Sequence, residues 1–280
     1  MLEPQVVEEL IAAVRNAARS EIIPRFRTLS PDQISSKSAH DDLVTAADIG
    51  MEARLTPILQ DLLPGSEVLG EEACAANPDL LHLPAQAETC AILDPVDGTW
   101  NFAKGLALFG TILSVTRAGK TIWALLYDPL MDDWITASPS KGAWYTRPGQ
   151  TPIALKLAET PPVEAQIGFL APALFPQHLR ADLAAAGTAF NRCYGLRCTL
   201  HEYRTLAQSG CHWLMAHDPK PWDHAAGALI ISEAGGHVAW LDDGTDYSAA
   251  RTKGTVLAAT NLAHWQALRA HFAPVLQLNA

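Results

Sequence analysis

A short apolar run that ends in two aspartates constrains the fold of this chain more than any other stretch. Residues 91–93 are apolar and predict a buried strand, and Asp94 and Asp97 follow it closely. Pro95 fixes its own φ and lacks a backbone donor, and Asp97 with Gly98 forms a typical turn dipeptide. Two carboxylates on a stiff turn can converge on one point, where they need a cation. The stretch therefore predicts a site for a hard metal ion such as Mg²⁺.

The residues after this turn add an anion site to the prediction. Thr99 is expected to open a short helix, and the free amides after Gly98 lie near the N-terminus of that helix. Amides in such a position suit a phosphate group. The alternative is a strand that ends in an ordinary polar turn, because the pattern D-x-x-D-G alone is common in loops.

Composition limits the class of protein. The chain has 280 residues, of which 49 % are hydrophobic, enough for one large domain or two modest ones. It has no apolar run of membrane-spanning length, and its N-terminus lacks a basic region followed by an apolar one. Its five cysteines form no C-x-x-C pair, so neither a zinc site nor a disulfide framework is expected. These features predict a cytoplasmic protein with free thiols.

The net charge narrows the range of partners. A formal charge of −10 argues against a nucleic-acid polymer or an anionic membrane surface as the main partner. A small anionic substrate remains compatible with this charge. Bound cations, in place of a cluster of Lys and Arg, would then have to neutralise that substrate.

Hydrophobic periodicity predicts layers of helix and sheet in two halves, residues 1–150 and 151–280. The first half is predicted to carry an antiparallel meander of strands after the two aspartates. The second half is richer in alternation of strand and helix. The best boundary candidate is the segment 147–151, which contains a proline and a glycine.

Local sequence signals predict two loops and the starts of two helices. Segments 30–40 and 77–88 are polar or proline-containing and are expected to be loops. Thr199 and Glu202 match a capping box that opens a helix. A further helix is predicted from Asp223 to Ala234.

More acidic residues stand at the ends of predicted elements. Glu71 and Glu72 follow a short strand, Asp223 begins a helix, and Asp48 lies in the first turn of another. Taken singly, Glu72 fits a solvated loop edge, Asp223 an N-cap, and Asp48 a charge favoured by the helix macrodipole. Taken together they indicate a metal site, because the chain offers few obvious cationic partners for them.

The order and spacing of these motifs resemble the inositol monophosphatase superfamily, whose members are Mg²⁺-dependent and often Li⁺-sensitive phosphomonoesterases. The resemblance covers nearly the whole chain; its D-P-V-D-G-T element is highly specific, whereas G-E-E and W-D are weak alone. The segments that carry it are Leu43-Val44-Thr45-Ala46-Ala47-Asp48, Gly70-Glu71-Glu72, Asp94-Pro95-Val96-Asp97-Gly98-Thr99-Trp100-Asn101-Phe102, Trp222-Asp223, Ala225-Ala226-Gly227 and Glu233-Ala234-Gly235-Gly236. It implies a mixed α/β fold of the layered αβαβα sugar-phosphatase type, with the metal site between the two halves.

The resemblance also implies the metal ligands. One ion would be held by Glu71, Asp94 and the backbone carbonyl of Val96. A second would be held by Asp94, Asp97 and Asp223, with Asp94 bridging. The family pattern further implies two or three Mg²⁺ ions, Mn²⁺ as a substitute, Li⁺ as an inhibitor and a homodimer.

Catalytic roles follow from the same resemblance. Thr99 and Asp48 would orient the attacking water, with Glu71 as a further catalytic residue, and the amides of Gly98 and Thr99 would hold phosphate oxygens. The chemistry fits these residue types, because ester hydrolysis needs a hydroxide at neutral pH and neutralisation of the phosphoryl charge. Neither a G-x-S-x-G motif nor a Cys/His pair suggests a covalent intermediate.

The substrate side departs from the inositol-specific pattern. The helix start and the stretch before Trp222-Asp223 lack the small residues and the glutamate of inositol-specific members. Arg197, His201, His217 and Lys220 stand there as candidate substrate contacts, beside Asp97 and Asp223. Ordinary surface or helix charge is the alternative for each of the four basic residues.

The sequence thus predicts a Mg²⁺-dependent phosphatase for a small polyol, sugar or related phosphate. The alternatives within the class are a 3′(2′),5′-bisphosphate nucleotidase and a fructose-1,6-bisphosphatase. A non-catalytic regulator that binds metal and phosphate is an alternative from a different class. A glycosidase with paired carboxylates is disfavoured, because Asp94 and Asp97 lie too close in sequence to straddle a sugar ring.

Overall fold

The computed structural model describes residues 1–37 and 41–278, and within them two large sheets alternate with layers of helices. The helices are α1 (Pro4–Glu21), α2 (Ala46–Leu62), α3 (Glu71–Ala76), α4 (Leu83–Gln86), α5 (Thr99–Ala103), α6 (Arg180–Gly187), α7 (Thr199–Ala207), α8 (Pro221–Glu233) and α9 (Leu262–Leu276). The strands are β1 (Ile34–Ser36), β2 (Leu43–Thr45), β3 (Glu67–Gly70), β4 (Thr89–Asp97), β5 (Gly110–Arg117), β6 (Lys120–Asp128), β7 (Asp133–Ala137), β8 (Ala143–Thr146), β9 (Ile153–Leu155), β10 (Ile167–Leu170), β11 (Arg192–Tyr194), β12 (Trp213–His217), β13 (His237–Trp240) and β14 (Thr255–Ala259).

The larger sheet has seven strands in the sequential order β3 to β9. Only its first pair, β3 with β4, is parallel, and the remaining neighbours are antiparallel. The smaller sheet has the order β11-β10-β12-β14-β13 and mixes parallel with antiparallel pairs. The predicted meander is therefore present, and it continues through β9.

The described residues form four apolar clusters, and the three largest separate the layers. The first packs α1 and α2 onto one face of the large sheet, through residues such as Leu10 and Leu55. The second packs α7 and α8 between the two sheets, around Leu200 and Ile230. The third packs α6 and α9 on the outer face of the small sheet, around Trp213. The order helix–sheet–helix–sheet–helix confirms the predicted αβαβα arrangement.

Two segments that we predicted as loops contain regular structure. Strand β1 pairs with β2 as an antiparallel hairpin, although the prediction treated the whole of 30–40 as loop; residues 38–40 lie outside the described part. The segment 77–88 holds a 3₁₀ helix, Pro78–His82, followed by α4. Both prolines of that segment occupy the first turn of a helix, where a missing N–H costs nothing. The prediction was wrong because it treated them as helix breakers.

The predicted boundary segment is a turn within one sheet. Residues 147–151 connect β8 to β9, and β9 pairs with β8 as the last strand of the large sheet. The division of the chain at residue 150 remains a prediction. In the described part of the chain, no helix is both long and apolar enough to cross a bilayer.

Substitution of a glycine in the small sheet tests how closely neighbouring strands pack. Gly168 of β10 lies opposite Trp213 of β12, and a Cβ at Gly168 would overlap the indole ring. We expect Gly168→Ala to lower the free energy of unfolding by ~1–3 kcal/mol, because the fully buried ring or the strand must shift to accept the methyl group. Urea unfolding measures this change.

A matched substitution controls for the effect of adding a methyl group. Gly50 lies in α2, where a Cβ would meet only the flexible end of Glu21. Gly50→Ala should be neutral or stabilising, since alanine favours a helix by ~1 kcal/mol over glycine. Equal midpoints for Gly168→Ala and the unsubstituted protein would show that the sheet tolerates the extra methyl and contradict this packing.

Candidate metal centre

A bulge at the end of β4 brings two aspartates to one side of the strand. Asp94 lies opposite Ile112 and Asp97 opposite Gly110, so β4 carries one more residue than β5 over this stretch. In a regular strand, residues three apart point to opposite faces. A bulge corrects this mismatch by inserting one residue and re-aiming the side chains that follow. The local irregularity is therefore what allows Asp94 and Asp97 to converge.

The turn after the bulge requires glycine. Gly98 has φ +84°, and a Cβ there would lie 2.6 Å from the carbonyl oxygen of Leu108 and 3.2 Å from the sulfur of Cys198. Both the left-handed backbone and the close packing exclude a larger residue. Helix α5 begins directly after this turn at Thr99, as predicted.

Asp223 reaches the same place from a different layer. It is the third residue of α8, whose N-cap is Lys220. The suggested N-cap role for Asp223 is therefore wrong, because the helix begins earlier than predicted. Carboxylate oxygens of Asp94, Asp97 and Asp223 all lie within 4.8 Å of one another, an arrangement that could hold a metal ion.

Glu71 lies beside this group but carries a different contact. The parallel register pairs Gly70 with Leu93, so Glu71 follows its strand at the level of Asp94. Its Oε1 lies 2.7 Å from Nζ of Lys37, which also lies 2.7 Å from Glu72. Although burial lowers the pKa of Lys37, the two glutamates raise it above its ordinary value. The sequence prediction of few cationic partners missed this lysine.

Burial and mutual repulsion make the cluster electrostatically costly. Burial first, and then the charges of nearby carboxylates, raise the pKa of Asp94 well above its ordinary value. The same causes raise the pKa of Asp223. Burial raises the pKa of Asp97 to about 6, even though hydrogen bonds from Leu200 and Cys198 act in the opposite direction. A bound cation would relieve this cost by favouring the ionised carboxylates.

An oxygen of the carboxylate cluster lacks a hydrogen-bond partner in the described part of the chain, as expected for a ligand of a hard metal ion. Oδ1 of Asp94 is buried, and no polar group of the described residues bonds it. A buried oxygen without a donor is rare, because it forfeits its hydration without compensation. Three carboxylates with an unpaired oxygen between them match the oxygen ligands that Mg²⁺ prefers.

Asp48 and Thr99 form a bonded pair next to the cluster. Oδ2 of Asp48 accepts from the backbone amide of Thr45 at 2.8 Å, within the capping box of α2. Its other oxygen lies 3.1 Å from the hydroxyl of Thr99, which also lies 2.9 Å from the carbonyl of Val96. Burial raises the pKa of Asp48 to about 6, against the hydrogen bonds from Thr45. The cap thus orients the carboxylate, with one oxygen directed towards Thr99.

Arg197 stands at the edge of this site. Its guanidinium lies 4.5 Å from the ring centroid of Trp100 and 3.2 Å from a carboxylate oxygen of Asp41. The carbonyl of Arg197 accepts from the side-chain amide of Asn101 at 3.2 Å. The residue is therefore tied to α5, the helix that follows the turn at Gly98.

The other predicted substrate contacts lie in different surroundings. Nε2 of His201 lies 3.3 Å from the carbonyl oxygen of Phe109. His217 stacks on Phe175 with ring centroids 5.1 Å apart. Lys220 is exposed and caps α8 three positions before Asp223. Of these three, Lys220 lies nearest in sequence to Asp223, a candidate metal ligand.

The start of α7 holds Asp97 and departs from the predicted cap. The backbone amide of Leu200 donates to Oδ2 of Asp97, and the sulfur of Cys198 lies 3.2 Å from the same oxygen. Cys198 is the N-cap residue, and Glu202 accepts from the amide of Leu196 at 2.6 Å. The predicted capping box from Thr199 to Glu202 is wrong, because the glutamate reaches back to an earlier residue.

Comparison with known proteins places this arrangement in a family. The profile described as the inositol monophosphatase family matches residues 3–277. The chain therefore belongs to the inositol monophosphatase family, a membership that supports a phosphatase.

Individual relatives carry two kinds of name. An inositol-1-monophosphatase of Caulobacter vibrioides is 27 % identical over 281 residues, covering 92 % of this chain and 98 % of that protein. The Nus factor SuhB of Salmonella typhimurium is 27 % identical over 248 residues, covering 85 % and 87 %.

Solved structures support the fold. The Thermotoga maritima IMPase superimposes with a TM-score of 0.79 at 19 % identity, covering 98 % of both chains. The extragenic suppressor protein suhB of Bartonella henselae gives a TM-score of 0.78 at 22 % identity, covering 99 % of this chain and 100 % of that one. At these identities the likeness establishes the shared fold alone.

The half-buried carboxyl of Glu202 predicts a pH dependence of stability. Burial raises its pKa to about 8 in the folded protein, against about 4.3 in an unfolded chain. Between these values the folded state keeps a proton that the unfolded state releases. The free energy of unfolding should therefore fall as pH rises through this window, by at most ~1.4 kcal/mol per pH unit from this group.

Glu202→Gln tests this dependence because glutamine keeps an acceptor for Leu196 but does not titrate. In urea unfolding at several pH values, the variant should lose less stability between about pH 5 and about pH 8 than the unsubstituted protein. The exposed Glu164 provides the control, and Glu164→Gln should follow the unsubstituted protein. Identical pH profiles for Glu202→Gln and the unsubstituted protein would rule out this proton.

Proposed function

We propose that the chain is a Mg²⁺-dependent phosphomonoesterase that hydrolyses a small polyol, sugar or related phosphate. The observation that carries this proposal is the convergence of Asp94, Asp97 and Asp223 beside the bonded pair of Asp48 and Thr99. Membership in the inositol monophosphatase family supports the same class of reaction.

The residues of the cluster would hold the metal. Asp94, Asp97 and Asp223 are the proposed carboxylate ligands, with Glu71 and the carbonyl of Val96 completing the set. When bound, the divalent ions supply a hydroxide at neutral pH and neutralise charge on the phosphoryl oxygens. The unpaired Oδ1 of Asp94 supports its assignment as the shared ligand.

Asp48 and Thr99 would position the attacking water. Thr45 fixes one oxygen of Asp48, so the other can accept a proton or a hydrogen bond at the site. With a pKa of about 6, this carboxylate is mostly ionised at neutral pH and can act as an acceptor. The hydroxyl of Thr99 would donate a hydrogen bond to Asp48 and accept one from the water.

The phosphate would lie at the start of α5. Gly98 has a left-handed backbone with φ +84°, and α5 begins directly after it at Thr99, two residues beyond Asp97. Amides of Gly98 and Thr99 are the proposed donors to phosphate oxygens. Because the chain has a net charge of −10, the bound cations would supply most of the compensation for phosphate charge.

A substrate with a second anionic group is the preferred class. Arg197 is held near α5 by Trp100 and Asp41, and its side chain is 47 % exposed. Lys220 adds an exposed ammonium at the start of α8. These charges favour a bisphosphate or a nucleotide, so nucleotidase and fructose-bisphosphatase activities remain the alternatives within the class. His201 and His217 remain proposed contacts of lower priority.

A role without catalysis is the second candidate. Several relatives of 26–30 % identity are named Nus factor SuhB, a name that states no phosphatase activity. For this chain the alternative is a regulator that binds metal and phosphate at the same cluster without turnover. The pair of Asp48 and Thr99 argues for catalysis, since a regulator needs no group to orient water.

Other properties of the proposed enzyme follow from the family pattern. Mn²⁺ should substitute for Mg²⁺, and Li⁺ should inhibit. We also propose a homodimer in the cytoplasm and no nucleic-acid polymer or membrane as partner. These statements are open to direct assay.

A turnover assay separates the enzyme from the regulator. Purified protein should release phosphate from p-nitrophenyl phosphate and inositol 1-phosphate only with Mg²⁺, and EDTA should stop the reaction reversibly. Asp94→Asn should abolish release while the circular dichroism spectrum stays unchanged. Metal binding without turnover on any phosphate ester of a broad panel would favour the regulator.

The hydroxyl of Thr99 should matter for rate more than for metal affinity. Thr99→Ala removes the group next to Asp48 and should lower kcat by about 100-fold, the usual effect of losing a group that positions a proton acceptor. Thr99→Ser keeps the hydroxyl and should retain kcat to within about 10-fold. Steady-state kinetics at saturating Mg²⁺ measures both. If Thr99→Ala retained normal kcat, Thr99 would serve only to bond the Val96 carbonyl.

Arg197 should set substrate preference. Arg197→Ala is expected to reduce kcat/KM for a bisphosphate or nucleotide by about 10-fold or more, as lost charge-assisted hydrogen bonds usually do. Hydrolysis of p-nitrophenyl phosphate should be spared. Arg192 of β11 is also exposed, and Arg192→Ala serves as the control. A protein that prefers inositol 1-phosphate, with Arg197→Ala indifferent, would remove Arg197 from the site.

A further inference from the structure

Helix α7 contacts two of the elements that carry proposed metal ligands, β4 and α8. At its start, the amide of Leu200 and the thiol of Cys198 hold Oδ2 of Asp97. Cys198 also lies against the turn at Gly98, where it fills the space that a Cβ would take. One end of α7 therefore fixes the carboxylate at the end of β4.

The middle of α7 is fixed to α8. The hydroxyl of Tyr203 lies 3.0 Å from Nδ1 of His224, and both side chains are buried. Gly227 leaves room for the tyrosine ring against α8, because a Cβ there would overlap that ring. His224 directly follows Asp223, so the contact fixes the first turn of α8 where the third carboxylate is carried.

The hydroxyl of Tyr203 and Nδ1 of His224 form one hydrogen bond, in which the tautomer of His224 decides which atom donates. A neutral buried pair with one donor and one acceptor is satisfied without a counter-ion.

We propose that Tyr203 is a positioning residue that sets Asp223 relative to Asp97, acting through His224. The inference rests on the proposed metal site. Helix α7 would connect the two carboxylates by one rigid path, from Leu200 at Asp97 to Tyr203 at His224. Loss of the phenol hydroxyl should loosen the start of α8 and weaken metal binding, as loss of hydrogen bonds around metal ligands generally does.

Tyr203→Phe tests the path, because it removes the hydroxyl and keeps the ring over Gly227. Metal-free full-length protein is titrated with Mn²⁺ by calorimetry and by electron paramagnetic resonance. We expect Mn²⁺ affinity to fall by about 10-fold, a typical loss for a group that supports a metal ligand. The control is Tyr127→Phe, since Tyr127 is equally buried and its hydroxyl donates to Asp132. This control should stay within about two-fold of the unsubstituted protein.

Substitutions of His224 provide a second, independent route if Tyr203→Phe fails to fold. His224→Asn offers an amide oxygen close to the position of Nδ1 and should preserve Mn²⁺ affinity. His224→Leu removes the partner of the Tyr203 hydroxyl and should lower it. When Tyr203→Phe folds, the double variant with His224→Leu should bind Mn²⁺ no more weakly than the weaker single variant, because both changes break one bond.

Two results separate failure of this inference from failure of the proposed function. If the unsubstituted protein binds Mn²⁺ and both Tyr203→Phe and His224→Leu bind it equally well, Tyr203 only packs the core, whatever the change in melting temperature. If the unsubstituted protein does not bind Mn²⁺ at all, the metal site itself is wrong.

Discussion

The mutual repulsion of three clustered carboxylates, two buried and one half-buried, is the constraint on which the rest of the site depends. Asp94 and Asp97 are almost inaccessible to water, and Asp223 adds its charge from another layer. Burial and repulsion raise the pKa of each carboxyl group. The cluster must therefore bind protons or a cation, because three unneutralised charges would destabilise the fold. The β4 bulge, the glycine turn and two helix starts bring these groups together, at the expense of local stability.

The central turn could be predicted from the sequence because its signals are local. An apolar run, a proline and an Asp-Gly pair together specify a strand that ends in a stiff turn, and the structure has that turn. The bulge between Asp94 and Asp97 could not be predicted, since it depends on the register of β5. The approach of Asp223 depends on how α8 packs between two sheets, which no local pattern specifies. There the family resemblance supplied what the residues alone could not.

The errors have a common physical origin. Lys37 was overlooked because its partners Glu71 and Glu72 lie far from it in sequence and meet it only through the β1–β2 hairpin. The predicted capping box at Thr199 was wrong because Glu202 accepts instead from the amide of Leu196, in the loop before the helix. The 3₁₀ helix Pro78–His82 and α4 were not predicted, because a proline in the first turn of a helix is equally compatible with a loop. In each case a tertiary partner decided between two local options.

Thermal unfolding against Mg²⁺ concentration, at fixed ionic strength, tests most directly whether a cation offsets the repulsion. The melting temperature should rise by about 5–10 °C when free Mg²⁺ exceeds its Kd about 100-fold. Asp94→Asn removes one charge, so this variant should melt higher than the unsubstituted protein without metal and respond little to Mg²⁺. A melting temperature that ignores Mg²⁺, with Asp94→Asn less stable from the outset, would contradict the account.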